Sequence, residues 1–164
     1  MKKVVTNGQD TLNKLNSGCS KLIQALAPNY GLPGKTVLNA SYSGAPDILG
    51  KGMAIAAAIN FRDATEDAGA ALLRSAGEKT AAQTGDGCKT SMLIAQSVIR
   101  DGTRSIAAGC NPVFIRRGLE LSADVAEKAL YAASVSASAA STERIAELVS
   151  GDAALGLLVC EALA

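Results

Sequence analysis

Small side chains dominate the stretch from Gly52 to Gly77, and this feature constrains the fold more than any other in the sequence. Alanine and glycine on neighbouring helices let the two backbones approach closely. The whole chain is 48% apolar but only 3% aromatic, and it contains no Trp. A core of Ala, Leu, Ile and Val favours helix packing over bulky sheet layers, so we predict a mainly α-helical protein.

The spacing of apolar residues predicts where the helices lie. Between Thr11 and Leu26 they recur at helical intervals, and Pro28 closes that helix. A helix starting near Ser91 is expected to end at Asp101-Gly102. Other predicted helices cover residues 105–108, 113–130, 142–149 and 153–163, and two short strands are expected at 36–40 and after the turn at 41–47. Pro112 suits the first position of its helix.

Charge and residue content exclude several classes of protein. The 16 basic and 15 acidic residues give a net charge of +1 without a basic stripe, which argues against a nucleic-acid binder. No apolar run reaches membrane-spanning length and no secretory signal is visible, so a soluble cytoplasmic protein is expected. Histidine is absent and the four cysteines are scattered, which excludes Cys/His zinc sites and His-based triads.

The segment Gly85-Asp86-Gly87-Cys88-Lys89-Thr90 carries the most chemical information. Two glycines allow a tight turn, and the helix that follows offers free N–H groups and a positive dipole end to phosphate. Asp86 either holds a magnesium ion or is an ordinary turn residue. The segment lacks the spacing of a Walker A motif. Cys88 is either a reactive thiol at a helix start or a tolerated replacement.

Six short motifs, in order and in nearly constant spacing, resemble the group I (GroEL-type) chaperonins. This chain has YGLPGK, SGAP, GDG, LIAQ, AAGCNP and RRGL where that family has a TLGPKG-like loop, SFGAP, GDGTTT, VLAQ, AAGMNP and KRGI. The likeness extends from about residue 10 to 133, and more loosely to 164. It implies a mainly α chaperonin equatorial-domain-like helical bundle with a small β element over residues 1–133, followed by a partial intermediate-domain segment over 134–164.

The resemblance also implies a nucleotide site for ATP and Mg²⁺. By matched position, Asp86 is the expected magnesium ligand. The expected nucleotide-binding residues are Gly31, Leu32, Gly87, Cys88, Lys89 and Thr90. Lys89 has two alternative roles, either as a charge that binds phosphate or as an ion-pair partner that displaces the metal from Asp86.

Three departures from the family pattern argue against an active ATPase. Lys51 stands where the family has a catalytic Asp, and a cation cannot accept a proton from water as a carboxylate can. GDGTTT has become GDGCKT, which removes two hydroxyls. The sequence also ends before the apical domain and the returning half that completes the site, so we expect apolar helix faces to be exposed.

Two functions follow, besides the possibility of an unrelated helical bundle with chance motifs. The first is a chaperonin-like subunit related to ATP-dependent protein folding that does not hydrolyse ATP alone. The second is a chaperonin-derived assembly protein that self-associates without ATPase or folding activity. Expected partners are further copies of the chain or a complementary chaperonin chain. Unfolded clients are expected only if an apical domain is supplied.

Overall fold

The computed structural model describes residues 5–31, 34–40 and 44–163, and within these ranges it is mainly helical. This confirms the predicted fold class. The elements are the helices α1 (Gly8–Leu26), α2 (Gly52–Ala58), α3 (Ala64–Thr84), α4 (Cys88–Ala107), α5 (Pro112–Ala133), α6 (Ala139–Ser150) and α7 (Ala153–Leu163), the 3₁₀ turn Ala27–Asn29, and the strands β1 (Val37–Asn39) and β2 (Asp47–Leu49).

The two short strands form an antiparallel pair within the chain. Val37 lies opposite Leu49, and Asn39 lies opposite Asp47. Both strands were expected from the sequence. The pairing fixes the chain on either side of the connecting turn, of which residues 41–43 lie outside the described part. It thereby places Gly50 and Lys51 directly before α2.

Helix α4 is longer than the sequence indicates, and the predicted end at Asp101-Gly102 is wrong. The helix continues to Ala107, and the turn that ends it contains Gly109 with a φ of 92°. A glycine inside a helix costs only about 1 kcal/mol relative to alanine. Packing of α4 against α1 and α3 offsets that cost, so Gly102 does not interrupt the helix.

The first compact unit ends at Ile115 and has one hydrophobic core. Its helices α1, α3 and α4 pack together with α2, and the buried apolar residues are Cys19, Leu22, Leu26, Ile55, Ala56, Ala70, Leu73 and Met92. Helices α1 and α3 approach each other at two glycines. A Cβ atom on Gly18 would lie 1.8 Å from the Glu66 carbonyl oxygen, and one on Gly69 would lie 2.1 Å from that of Leu15.

Polar contacts at the start of α3 fix its position relative to α1. Asp63 caps α3 by accepting hydrogen bonds from the backbone N–H groups of Thr65 and Glu66, and it also pairs with Lys14 at 3.1 Å. Hydrogen bonding to Lys14 is the main reason why the pKa of Asp63 is lowered. Lys21 pairs with Glu66 at 2.6 Å and is the main cause of the lowered pKa of that carboxyl.

These lowered pKa values predict a loss of stability in acid. A carboxyl group with a folded-state pKa below its unfolded value stabilises the fold above the unfolded pKa, about 4 for Asp and Glu, and this contribution disappears as pH falls through the folded pKa. We expect the thermal midpoint to fall with acidification below about pH 4, and Lys21→Met to make that fall shallower. Lys79→Met, at an exposed lysine of α3, is the control. Identical acid profiles for wild type and Lys21→Met would contradict this assignment.

The second compact unit comprises Arg116–Ala164, of which residues up to 163 are described. Helices α6 and α7 pack together, and Gly156 lies against the backbone of Glu147. Asp152 caps α7, as expected. Helix α6 is capped by Ser138, earlier than predicted, and Ser141 completes a capping box. The two compact units divide after Ile115, but this division by packing does not test where an equatorial-like domain would end. The predicted domain boundary at 133/134 therefore stays a prediction.

Among the described residues, no helix combines the length and the apolar character that a membrane span needs.

Candidate functional site

The link between α3 and α4 is a turn that requires glycine at two positions. Gly85 has a φ of 76° and Gly87 a φ of 81°, a left-handed conformation that residues with a side chain rarely adopt. The Thr84 hydroxyl donates a hydrogen bond of 2.6 Å to the carbonyl oxygen of Asp86, which fixes the peptide between the two glycines. The side chain of Asp86 is exposed at the tip of this turn.

The start of α4 can accept an anion. Gly87 is the N-cap residue, and no side chain caps the helix there. The first N–H groups of a helix have no partner within it and carry a partial positive charge, so they bind phosphate readily. The predicted residues Cys88, Lys89 and Thr90 form this first turn. Backbone donors beside an exposed carboxylate are a donor set that fits a phosphate with magnesium.

The described residues do not form a metal site from protein groups alone. Within the described ranges, no group of three or more His, Cys, Asp or Glu side chains is placed to hold a metal ion. Magnesium usually binds to one or two carboxylates together with water and substrate phosphates, and does not need such a group. The arrangement around Asp86 therefore fits magnesium only as a partner of a bound phosphate.

The side chain of Lys89 contacts Asn29, a partner that the sequence did not suggest. Its ammonium group donates to the backbone oxygen of Asn29 at 2.6 Å and to the side-chain oxygen of Asn29 at 3.1 Å. Its methylene groups pass over Gly52, where an added Cβ atom would lie 2.5 Å from Cγ of Lys89. The ion pair with Asp86 is not among the salt bridges of the described residues.

The predicted loop residues approach α4 through Tyr30. The hydroxyl groups of Tyr30 and Thr90 lie 3.4 Å apart, and Gly31 follows in the left-handed conformation with a φ of 88°. Leu32, the other predicted nucleotide contact in this loop, lies outside the described residues. Tyr30 and Lys89 both line a cavity of about 10 Å³, which has room for about one water molecule.

Two further residues have positions that bear on the chemistry. Lys51 is exposed and serves as the N-cap residue of α2, with its backbone oxygen accepting a hydrogen bond from Ile55. Cys88 is a free, half-buried thiol whose backbone oxygen accepts a hydrogen bond from Ser91. Neither position adds a carboxylate or a histidine that could act as a base.

Asn29 is the residue that sequence reasoning missed. It is only 2% exposed and makes hydrogen bonds to three separate parts of the chain. A polar residue directly after a proline is an ordinary loop signal, so nothing in the neighbouring sequence marks Asn29 as a buried residue. Its importance comes from contacts with residues up to 60 positions away.

The fold and the site together define a helical domain with a strand pair and a glycine-flanked carboxylate before an uncapped helix. Residues 22–154 match the TCP-1/cpn60 chaperonin family. The match covers most of the chain, and the chain belongs to that family. Its N-terminal region is equatorial-domain-like, and its function is chaperonin-related.

Proposed function

We propose that this chain is a chaperonin-like subunit that binds ATP with Mg²⁺ at the turn before α4 and does not hydrolyse it alone. The observation that carries the proposal is the exposed Asp86 beside the uncapped start of α4. Asp86 would hold the magnesium ion, and the N–H groups of Cys88, Lys89 and Thr90 would bind phosphate oxygens. Gly31 and Leu32 would lie by the nucleotide, as the family resemblance implies.

The lack of hydrolysis follows from the chemistry at position 51. Attack by water on phosphate is assisted by a group that orients the water or accepts its proton. The ammonium group of Lys51 carries only hydrogen-bond donors, so it cannot accept that proton. When bound, magnesium would neutralise phosphate charge, but it would not replace that base. The chain would then act in ATP-dependent protein folding only within a larger assembly, in the cytoplasm, with unfolded clients bound only if an apical domain is supplied.

A second candidate is an assembly protein that self-associates without nucleotide chemistry. The exposed apolar surface of α5 favours this reading. Six large apolar side chains of that helix are 62–72% exposed, namely Val113, Phe114, Leu121, Val125, Leu130 and Tyr131. Contiguous exposed apolar surface marks interaction sites. In either candidate the partner would be another copy of the chain or a complementary chaperonin chain.

Calorimetric titration of the whole chain with ATP separates the two candidates. With magnesium present we expect saturable binding, and we expect Asp86→Ala to weaken it at least about tenfold, because a charged ligand of the metal is lost (1.4 kcal/mol corresponds to a factor of ten). Titration with ATP and a chelator should resemble the Asp86→Ala result.

Glu78→Ala provides the matched control, because it removes one exposed carboxylate from α3 at a distance from the turn in sequence. Its ATP affinity should equal that of wild type. If the folded wild-type protein does not bind millimolar ATP, the first candidate is wrong and the assembly role is favoured. Binding that is unaffected by Asp86→Ala would contradict the proposed metal ligand.

A further inference from the structure

Asn29 lies at the centre of a small polar network among the segments of the candidate nucleotide site. Its side-chain amide nitrogen donates to the backbone oxygens of Lys35, at 2.8 Å, and Gly50, at 2.9 Å. Lys35 ends the loop that contains Gly31, and Gly50 precedes Lys51. One buried side chain therefore connects the 3₁₀ turn after α1, Lys35 and the segment that leads into α2.

Lys89 extends this network to the start of α4. Its ammonium contacts both oxygens of Asn29, and the contact of 2.6 Å to the backbone oxygen is the shorter one. The orientation of the amide is fixed by chemistry, since a flipped amide would direct NH₂ at the ammonium and an oxygen at two carbonyl oxygens. Glycine at position 52 leaves the space that the methylene groups of Lys89 occupy.

Gly34 and Lys35 also pack against Asn29 and its neighbour Pro28. The N–H group of Lys35 donates to the backbone oxygen of Pro28 at 3.0 Å. A Cβ atom on Gly34 would lie 2.5 Å from the backbone oxygen of Asn29, so only glycine fits this approach. These contacts hold the end of the loop directly against the oxygen that also accepts from Lys89.

We propose that Asn29 and Lys89 form an internal latch that positions residues 34–35, the Gly50–Lys51 segment and the start of α4 before any nucleotide binds. Lys89 is a positioning residue in this arrangement and leaves phosphate binding to the backbone N–H groups of α4. The proposal rests on the proposed nucleotide site for its functional consequence. The latch itself is a property of the protein without ligand, so it can be tested separately.

Amide hydrogen exchange of the nucleotide-free whole chain tests the latch directly. Lys89→Met keeps the methylene stem over Gly52 and removes the ammonium. We expect the amides of Lys35, which donates to Pro28, and of Ile55, which donates to Lys51, to exchange at least about tenfold faster in this variant. Exchange in the middle of α3 should stay within about twofold of wild type. Lys79→Met, which makes the same change at an exposed lysine of α3, should leave all these rates unchanged.

A double-variant comparison measures the coupling. Asn29→Ala removes the three hydrogen bonds of the Asn29 side chain and keeps the backbone oxygen that accepts from Lys89, so it should also accelerate exchange of the Lys35 and Ile55 amides. Combining it with Lys89→Met should add less than the product of the two separate accelerations. Fully multiplicative effects would overturn the latch. If Lys89→Met does not fold, Lys89→Gln, whose shorter side chain is neutral, takes its place in both experiments.

Two exchange results would overturn the proposal. Unchanged exchange of the Lys35 and Ile55 amides would show that Lys89 does not hold these two segments. Uniform acceleration throughout the first unit would indicate general destabilisation. Weaker ATP binding by Lys89→Met with unchanged exchange would make Lys89 a phosphate ligand instead. A wild-type protein that binds no ATP would refute the proposed function while leaving the exchange result valid.

Discussion

Gly69→Ala is expected to destabilise the first unit by about 3 kcal/mol or more, at the upper end of what overpacking costs. The added methyl carbon would lie 2.1 Å from the backbone oxygen of Leu15 and 2.9 Å from its carbonyl carbon. Both are main-chain atoms of α1, so no rotamer change can relieve the clash. The two helices must move apart, which also disturbs the hydrogen bond from the Cys19 thiol to the oxygen of Gly69.

Urea unfolding followed by circular dichroism measures this loss. Gly102→Ala is the matched control, because Gly102 lies inside α4 and an added Cβ atom would meet nothing within 4 Å. Alanine at such a position should stabilise the fold by about 0.5–1 kcal/mol. The same chemical change thus has opposite effects at two helical glycines. Equal stability of Gly69→Ala and wild type would mean that α1 and α3 do not approach at this point.

The sequence indicates that small residues allow close packing, but it does not show which of them lie at a helix contact. Gly18 of α1 lies against Glu66, and Gly69 of α3 lies against Leu15, so both contacts depend on the register between the two helices. Local spacing determines which face of each helix is apolar. It does not determine the register, because that depends on how complete side chains pack between the helices.

The candidate site shows the same distinction between local and distant information. The turn at Gly85 and Gly87 was predictable, because two glycines before a helix start allow left-handed backbone angles. The inward path of Lys89 was not, since its acceptors belong to Asn29, 60 residues earlier. A lysine in the first turn of a helix has several chemically reasonable partners, and here its methylene groups lie against Gly52 while its ammonium contacts Asn29.

The predicted end of α4 was wrong for a related reason. Asp101-Gly102 is a common signal for the end of a helix, yet α4 continues for more than a turn beyond it. Packing on α1 and α3 outweighs the intrinsic preference of one glycine, which amounts to about 1 kcal/mol. Helix α1, by contrast, ends at Leu26 as its apolar spacing predicts, because the residues of that pattern are also the ones that pack in the core.

Leu73→Ala is expected to cost about 2–5 kcal/mol, because it leaves a cavity in the centre of the first unit. Leu73 is fully buried, in the same core cluster as Leu22, Ile55 and Met92. Leu72, its neighbour on α3, is 55% exposed, and Leu72→Ala should cost less than about 1 kcal/mol. The two variants remove identical atoms from adjacent positions, so their difference reports burial alone.

Chemical unfolding of both variants, with ATP affinity measured in buffer without denaturant, shows whether this core also supports the site. Helix α3 leads directly into the turn at Asp86. A cavity at Leu73, in the middle of α3, lowers the free energy of global unfolding. The turn itself is held by a local hydrogen bond from the Thr84 hydroxyl to the carbonyl oxygen of Asp86. Leu73→Ala should therefore lose stability and keep its nucleotide affinity at temperatures where it is folded. Equal stability losses at positions 72 and 73 would mean that α3 presents a different face to the core, and the glycine contact at Gly69 would then be wrong as well.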